Sequence, residues 1–218
     1  MTQPQRIAFY GGTFDPVHCG HITVARRLVE LFSLDQFVFL PAFHAPHKPE
    51  RTPTSAYHRF AMLVLATQDE PRISVSTLEL SHAQKRYTVE TLPEIIAQHA
   101  DADIFFVMGA DSWRDIRTWR EWEKVLLMTN HIVVTRPGYE IAFDHVTPAV
   151  RERIVDLREA TDSLFQNDGP RVYVTDAIKL DVSATEIRED ISADERLDNP
   201  DDVPQAVAKY IEKYELYK

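Results

Sequence analysis

Cysteine is nearly missing from this 218-residue sequence. Cys19 stands alone, so no intrachain disulfide framework and no CxxC redox or zinc arrangement can form. A reducing compartment follows from that, and the expected location is cytoplasmic. Positive charge is also in short supply. The 24 Lys and Arg residues face 34 Asp and Glu, a formal net charge of −10, which opposes a nucleic-acid or anionic-membrane partner that needs a basic face to release counterions. A small anionic ligand is still compatible, because a few local cations can oppose the global sign. Long apolar runs are lacking too. No window approaches the roughly 18 residues of a membrane span, and "MTQPQRIAFYGG" holds no stretch suited to a signal peptide. Glycine occurs only six times, at 11, 12, 20, 109, 138 and 169. A P-loop would need one at 17, where Val17 stands, and no GxGxxG can be drawn, which excludes P-loop kinases and dinucleotide-binding dehydrogenases.

What is present suits a globular α/β chain. With 44% hydrophobic and 27% charged residues, the length supports one core, and residues 1–218 are expected to form one domain. Short β-rich runs recur at 6–10 (RIAFY), 36–40 (QFVFL), 72–77 (RISVST), 103–108 (DIFFVM), 131–135 (HIVVT) and 171–175 (RVYVT). Between them lie segments with helical spacing: Ile22, Ala25, Leu28, Val29 and Phe32, then Phe60, Leu63 and Val64, then a stretch from Thr91 to Ile96. This alternation predicts a mostly parallel sheet with helices on both faces. Ligands of such sheets collect beyond the carboxyl ends of the strands. The motif after the first strand and the proline-rich loop 41–53 are therefore expected at one crevice. A helical closing segment is expected from about 183, with Val203, Val207, Tyr210, Ile211 and Tyr214 marking its last helix.

The motif "FYGGTFDPVHCGH", residues 9–21, combines Gly11, Gly12 and Gly20 with His18 and His21. Gly11 and Gly12 would let the chain turn and bring backbone N–H groups close to a ligand. With a helix starting near Gly20, both imidazoles face one helix N-terminus, an arrangement suited to an anion. A side chain at position 20 would then fill space that a phosphate needs. Two capping histidines, or a zinc pair lacking its other ligands, fit the same residues.

"GGTFDPVHCGH" resembles the GGTFDPxHxGH signature of the HxGH nucleotidylyltransferases, and its details are similar to bacterial nicotinate-nucleotide adenylyltransferases. "PHKP" (46–49), "YTVETL" (87–92), "MGADS" (108–112), "TWREWE" (118–123), "VVTRPGY" (133–139) and "VSATEIR" (182–188) occur in that family's order. Residues 140–170 carry no motif of it. The resemblance implies a Rossmann-like nucleotidyltransferase fold. It also implies attack of the 5′-phosphate of nicotinate mononucleotide on the α-phosphorus of ATP, with Mg²⁺ delivered on the ATP. It makes His18 and His21 catalytic, through charge stabilisation on the transferring phosphoryl group. Gly12, Thr13, Phe14, Gly109, Asp111, Ser183, Thr185 and Arg188 are implied at ATP, with Asp111 on a ribose hydroxyl and Arg188 on the polyphosphate. His47, Lys48, Thr88, Trp119 and Arg120 are implied at the mononucleotide, with Trp119 stacking on the pyridine ring and the N–H groups of Thr88 and Arg120 on its carboxylate. No resident metal site is expected, and the oligomeric state is left open.

Simpler readings stand beside these. Ser183 followed by Glu186 forms a capping box. His47 and Lys48 also suit a solvated loop, and Asp111 suits a helix cap. Trp119 and Trp122, three apart, suit one buried helix face. Asp15 suits a turn-fixing role, and Cys19 a small filler. Other HxGH adenylyltransferases, a preference for nicotinamide mononucleotide, and a nucleotide-sensing module without turnover are the alternatives. A tRNA-binding synthetase-like protein is disfavoured by the charge and by the lack of a KMSKS-like loop.

Overall fold

The computed structural model describes residues 3–43, 52–81, 86–135, 140–158, 169–176, 182–193 and 202–218. Among these residues seven strands form one sheet: β1 Gln5–Gly12, β2 Gln36–Pro41, β3 Ile73–Val75, β4 Ala102–Gly109, β5 Asn130–Val134, β6 Ile154–Asp156 and β7 Val172–Thr175. Their order is β3-β2-β1-β4-β5-β7-β6, and every pairing is parallel. Six strands lie where the apolar runs place them. β6 is not anticipated: it comes from "RIVDL", a short run in the motif-free stretch, and it joins the sheet edge through Val155 opposite Tyr173.

Among the described residues, eight α-helices flank the sheet: α1 Cys19–Leu31, α2 Ala56–Thr67, α3 Thr88–Gln98, α4 Ala110–Arg114, α5 Trp122–Met128, α6 Pro148–Arg151, α7 Ala184–Ser192 and α8 Gln205–Lys213. The strand period of two assigns each strand side chain to a face. Ala8, Phe37, Phe39, Phe105, Val107, Ile132 and Tyr173 meet Leu28 of α1, Leu63 of α2, Ile187 of α7 and Val207 of α8. Their neighbours Phe9, Val38, Phe106, Met108 and Val133 meet Leu92 of α3, Trp113 of α4, Leu126 of α5 and Val150 of α6. Both layers are therefore read directly from alternation.

The chain runs outward from β1 to β3 and then returns to place β4 on the other side of β1. The strand order reverses between β1 and β4, which opens a crevice at their carboxyl ends. Beneath it, His131 on β5 is fully buried and packs against Phe106 at 5.9 Å. Burial lowers its pKa to about 4, against the opposing pull of the Thr129 carbonyl, so the ring is neutral and packs as an aromatic.

The region 140–158 has a structural role. Trp113 donates through Nε1 to the Ala142 carbonyl at 2.9 Å, and His145 Nε2 lies 3.0 Å from the Trp113 carbonyl. This segment covers α4 and then supplies β6.

Candidate active site

A cleft of about 460 Å³ opens at the β1/β4 switch point. Gly12, Thr13, Phe14, His18 and His21 line it from the motif, and Gly109 and Asp111 line it from the end of β4. Thr88, Trp119, Arg120 and Arg188 complete the sequence-expected residues that reach it.

The two glycines after the first apolar run do not turn the chain. Gly11 and Gly12 still belong to β1, paired with Leu40 and Pro41. Their missing side chains make room for rings: a Cβ on Gly11 would stand 2.9 Å from Phe106 Cζ, and one on Gly12 would stand 2.7 Å from Phe14 Cζ. The turn falls at Phe14, in the left-handed region at φ 51°, with its ring buried under the strand end.

α1 begins at Cys19 with His18 as its N-cap and His21 in the first turn. The His18 N–H donates to His21 Nδ1 at 3.2 Å, and the two rings stack with centroids 3.7 Å apart. An accepting Nδ1 carries no proton, so the neutral His21 ring holds its hydrogen on Nε2. His21 thus caps its own helix with one nitrogen and offers the other as a donor to the cleft. The capping role leaves the ring's other nitrogen for the anion-binding one. A Cβ on Gly20 would sit 3.0 Å from His18 Cε1 and Nδ1, so the missing side chain makes room for this pair.

Arg188, one turn into α7, donates through Nη1 to the Asp15 carbonyl at 2.6 Å and through Nη2 to Thr185 Oγ1 at 3.1 Å. Thr185 therefore orients the guanidinium. Ser183 occupies the N-cap of α7, but its side chain makes no capping hydrogen bond, so the capping box with Glu186 does not form. Asp111 lies in the first turn of α4, well exposed, with its carboxylate 3.2 Å from Arg114 Nη1. A Cβ on Gly109 would meet nothing within 4 Å, so the floor of the cleft is open there.

At the far end, Trp119 and Trp122 do not share a helix face. Trp119 follows the 3₁₀ turn Ile116–Thr118 in extended conformation, Glu121 is left-handed at φ 50°, and Trp122 starts α5. The break frees the Trp119 ring to line the cleft, with its edge toward Phe106 at 6.4 Å. Thr88 opens α3, and the Tyr87 N–H donates to Glu90 Oε2 at 3.1 Å. The Arg120 guanidinium reaches Glu90 Oε1 at 3.0 Å and lies over the Tyr87 ring. The Trp119–Arg120 segment is thereby tied to the N-terminus of α3. His47 and Lys48 lie outside the described residues.

Several residues of the site are not evident from sequence. Arg59 of α2 is fully buried and donates to the carbonyls of Thr13 and Ala42 at 2.6 Å, of Thr54 at 2.8 Å and of Phe43 at 3.2 Å. Asp15 does more than fix its own turn: its carboxylate accepts from the Thr54 N–H at 3.2 Å and from the Tyr217 hydroxyl at 2.8 Å. Glu79 and Arg86 also line the cleft. Burial raises the Glu79 pKa, opposed by a hydrogen bond from Thr91 and by the charge of Arg86. Among the described residues, no group of three or more His, Cys, Asp or Glu could hold a metal ion, and no helix is long and apolar enough to cross a membrane.

Residues 9–190 match the family model described as Cytidylyltransferase-like. The chain is 34% identical over 218 residues to a protein of Desulfatibacillum aliphaticivorans named a probable nicotinate-nucleotide adenylyltransferase, covering 97% of this chain and 99% of that one. It is 36% identical over 213 residues to a protein of the same name from Citrifermentans bemidjiense, covering 97% and 98%. Among solved structures, Plasmodium falciparum nicotinic acid mononucleotide adenylyltransferase complexed with NaAD shares the fold, with a TM-score of 0.74, 22% identity, and coverage of 98% of this chain and 97% of that one.

Proposed function

The chain belongs to the cytidylyltransferase-like family and to its nicotinate-nucleotide adenylyltransferases, and from that premise we propose how its cleft works. A phosphate oxygen of nicotinate mononucleotide attacks the α-phosphorus of ATP. The bond from that phosphorus to the bridging oxygen breaks, and pyrophosphate leaves with the electron pair, giving nicotinate adenine dinucleotide. The observation that carries this reading is the placement, in one cleft, of the stacked His18–His21 pair with Arg188 at one end and Trp119 with the start of α3 at the other.

ATP lies over Gly12, Thr13, Phe14 and Gly109, with its ribose at Asp111 and its polyphosphate, carrying Mg²⁺, at Arg188. Negative charge grows on the α-phosphoryl oxygens during transfer, and the Nε2–H of His21 meets it without moving. The pyridine ring stacks on Trp119, and its carboxylate accepts from the backbone N–H groups of Thr88 and Arg120. His47 and Lys48 are assigned to the mononucleotide phosphate by motif alone.

Acceptor choice tests this. A carboxylate accepts from both amides with charge assistance, whereas a carboxamide must turn its NH₂ toward one of them. Charge-assisted contacts worth about 1.5–3 kcal/mol each give a preference on the order of 10²-fold in kcat/KM for nicotinate over nicotinamide mononucleotide. Trp119→Ala should weaken both acceptors together, since the two rings stack alike. Steady-state kinetics with both acceptors and both proteins checks the expectation, and comparable use of the two by wild type would remove the carboxylate pocket from the account.

A further inference from the structure

Asp15 is nine-tenths buried inside the motif loop and binds partners from three distant parts of the chain. Its Oδ2 accepts from the Thr54 N–H at 3.2 Å, its Oδ1 from the Tyr217 hydroxyl at 2.8 Å, and its main-chain carbonyl from Arg188 Nη1 at 2.6 Å. Arg188 therefore sits beside an aspartate and yet bonds to its neutral carbonyl, not to its carboxylate. Both carboxylate oxygens are already engaged. The other cation near this carboxylate, Arg59, is committed to four backbone carbonyls.

The chain bends sharply to bring the tyrosine there. Beyond α8, Glu215 and Tyr217 both take left-handed conformations, at φ 50° and φ 71°, which non-glycine residues avoid unless something holds them. The Tyr217 hydroxyl bond is what this bend delivers, and burial beside the carboxylate pushes the phenol's pKa up, so it remains a donor.

We propose that Tyr217 is a positioning residue for ATP: by saturating the Asp15 carboxylate, it keeps the Arg188 guanidinium from pairing with that carboxylate and leaves its charge available in the cleft. This deepens the functional reading above and rests on it for the assignment of Arg188 to the polyphosphate. Without the hydroxyl, Asp15 Oδ1 loses the donor it has, on the same residue whose main-chain carbonyl already holds a guanidinium suited to bidentate carboxylate pairing.

The test is Tyr217→Phe, which keeps the ring and removes the bond. The KM for ATP should rise roughly tenfold, the worth of one charge-assisted contact, while the KM for nicotinate mononucleotide and kcat at saturating ATP stay within about twofold. Adding Asp15→Asn to Tyr217→Phe should recover most of the ATP affinity, because a neutral amide does not compete for the guanidinium yet still accepts from the Thr54 N–H. Equal ATP KM in wild type and Tyr217→Phe would overturn the proposal. So would a rise in both KM values accompanied by a lower unfolding midpoint, or an Asp15→Asn addition that fails to rescue. Equilibrium binding of a non-hydrolysable ATP analogue to the three proteins reads the same contrast without turnover. If wild type forms no dinucleotide, the functional reading fails, while the binding series still decides the role of Tyr217.

Discussion

Replacing His21 by alanine is expected to lower kcat by about 10²–10³ while the KM for ATP changes only a few-fold, the signature of a donor that acts mainly in the transition state. The geometry supports a loss of this size because protein groups hold the ring on several sides. Its Nδ1 is fixed by the His18 N–H at 3.2 Å, one face stacks on His18 at 3.7 Å, and the Phe14 ring meets it edge-on at 5.0 Å. A donor that need not reorganise is worth more against developing charge than one that must be ordered during the reaction. On the proposed reading ground-state ATP has other attachments, Arg188 chief among them, so affinity should survive. Steady-state kinetics together with rapid-quench single turnovers separates the chemical step from product release. A variant with near-normal kcat, or one whose whole loss lies in KM, would move the catalytic role away from His21.

Arg59→Met should destabilise the fold by about 3 kcal/mol, because each buried acceptor left without a donor costs about 1–3 kcal/mol and four carbonyls share this guanidinium. The methionine approximates the volume of the arginine stem, so the loss isolates the guanidinium. Four backbone carbonyls, of Thr13, Ala42, Phe43 and Thr54, would lose the donor that the buried side chain supplies. Burial lowers the Arg59 pKa, while the negative charge of Asp15 opposes that shift. The same bonds join the motif loop to the end of β2, so the surviving folded protein should also turn over more slowly. Urea unfolding with an unchanged m-value measures the stability term. A loss below about 1 kcal/mol would show that the carbonyls find other donors and that Arg59 is not what fastens the loop.

The contrast between His21 and Arg59 shows what was readable in the sequence. Strands were legible because continuous apolar runs such as DIFFVM or QFVFL can be satisfied only by two covered faces, and the histidine motif because its residue types are rare together. Arg59 was illegible for the opposite reason: an arginine within a helical segment reads as solvent-facing. The apparent apolar stripe Phe60–Leu63–Val64 is in fact rotated, with Arg59, Met62 and Leu63 buried and Val64 exposed. Tyr217 likewise reads as the frayed end of an amphipathic helix, and only the two left-handed residues beyond α8 turn it inward. At Ser183 the pattern for a cap is present without the hydrogen bond, since position at a helix start does not fix the side-chain rotamer. Glu121 breaks the run between Trp119 and Trp122 with a positive φ and no glycine to announce it. Apart from Ser183, local pattern was overruled by a long-range partner or by a backbone turn that leaves no compositional mark.

A cleft that positions ATP and nicotinate mononucleotide for direct transfer forms no covalent protein intermediate. ATP made chiral at the α-phosphorus tests it most directly. Turned over with nicotinate mononucleotide, it should yield nicotinate adenine dinucleotide with inverted configuration at that phosphorus, as a single in-line displacement requires. Net retention, or an adenylylated form of the protein isolated after ATP alone, would instead reveal two displacements through a side chain such as His18 or Cys19 and would contradict the account.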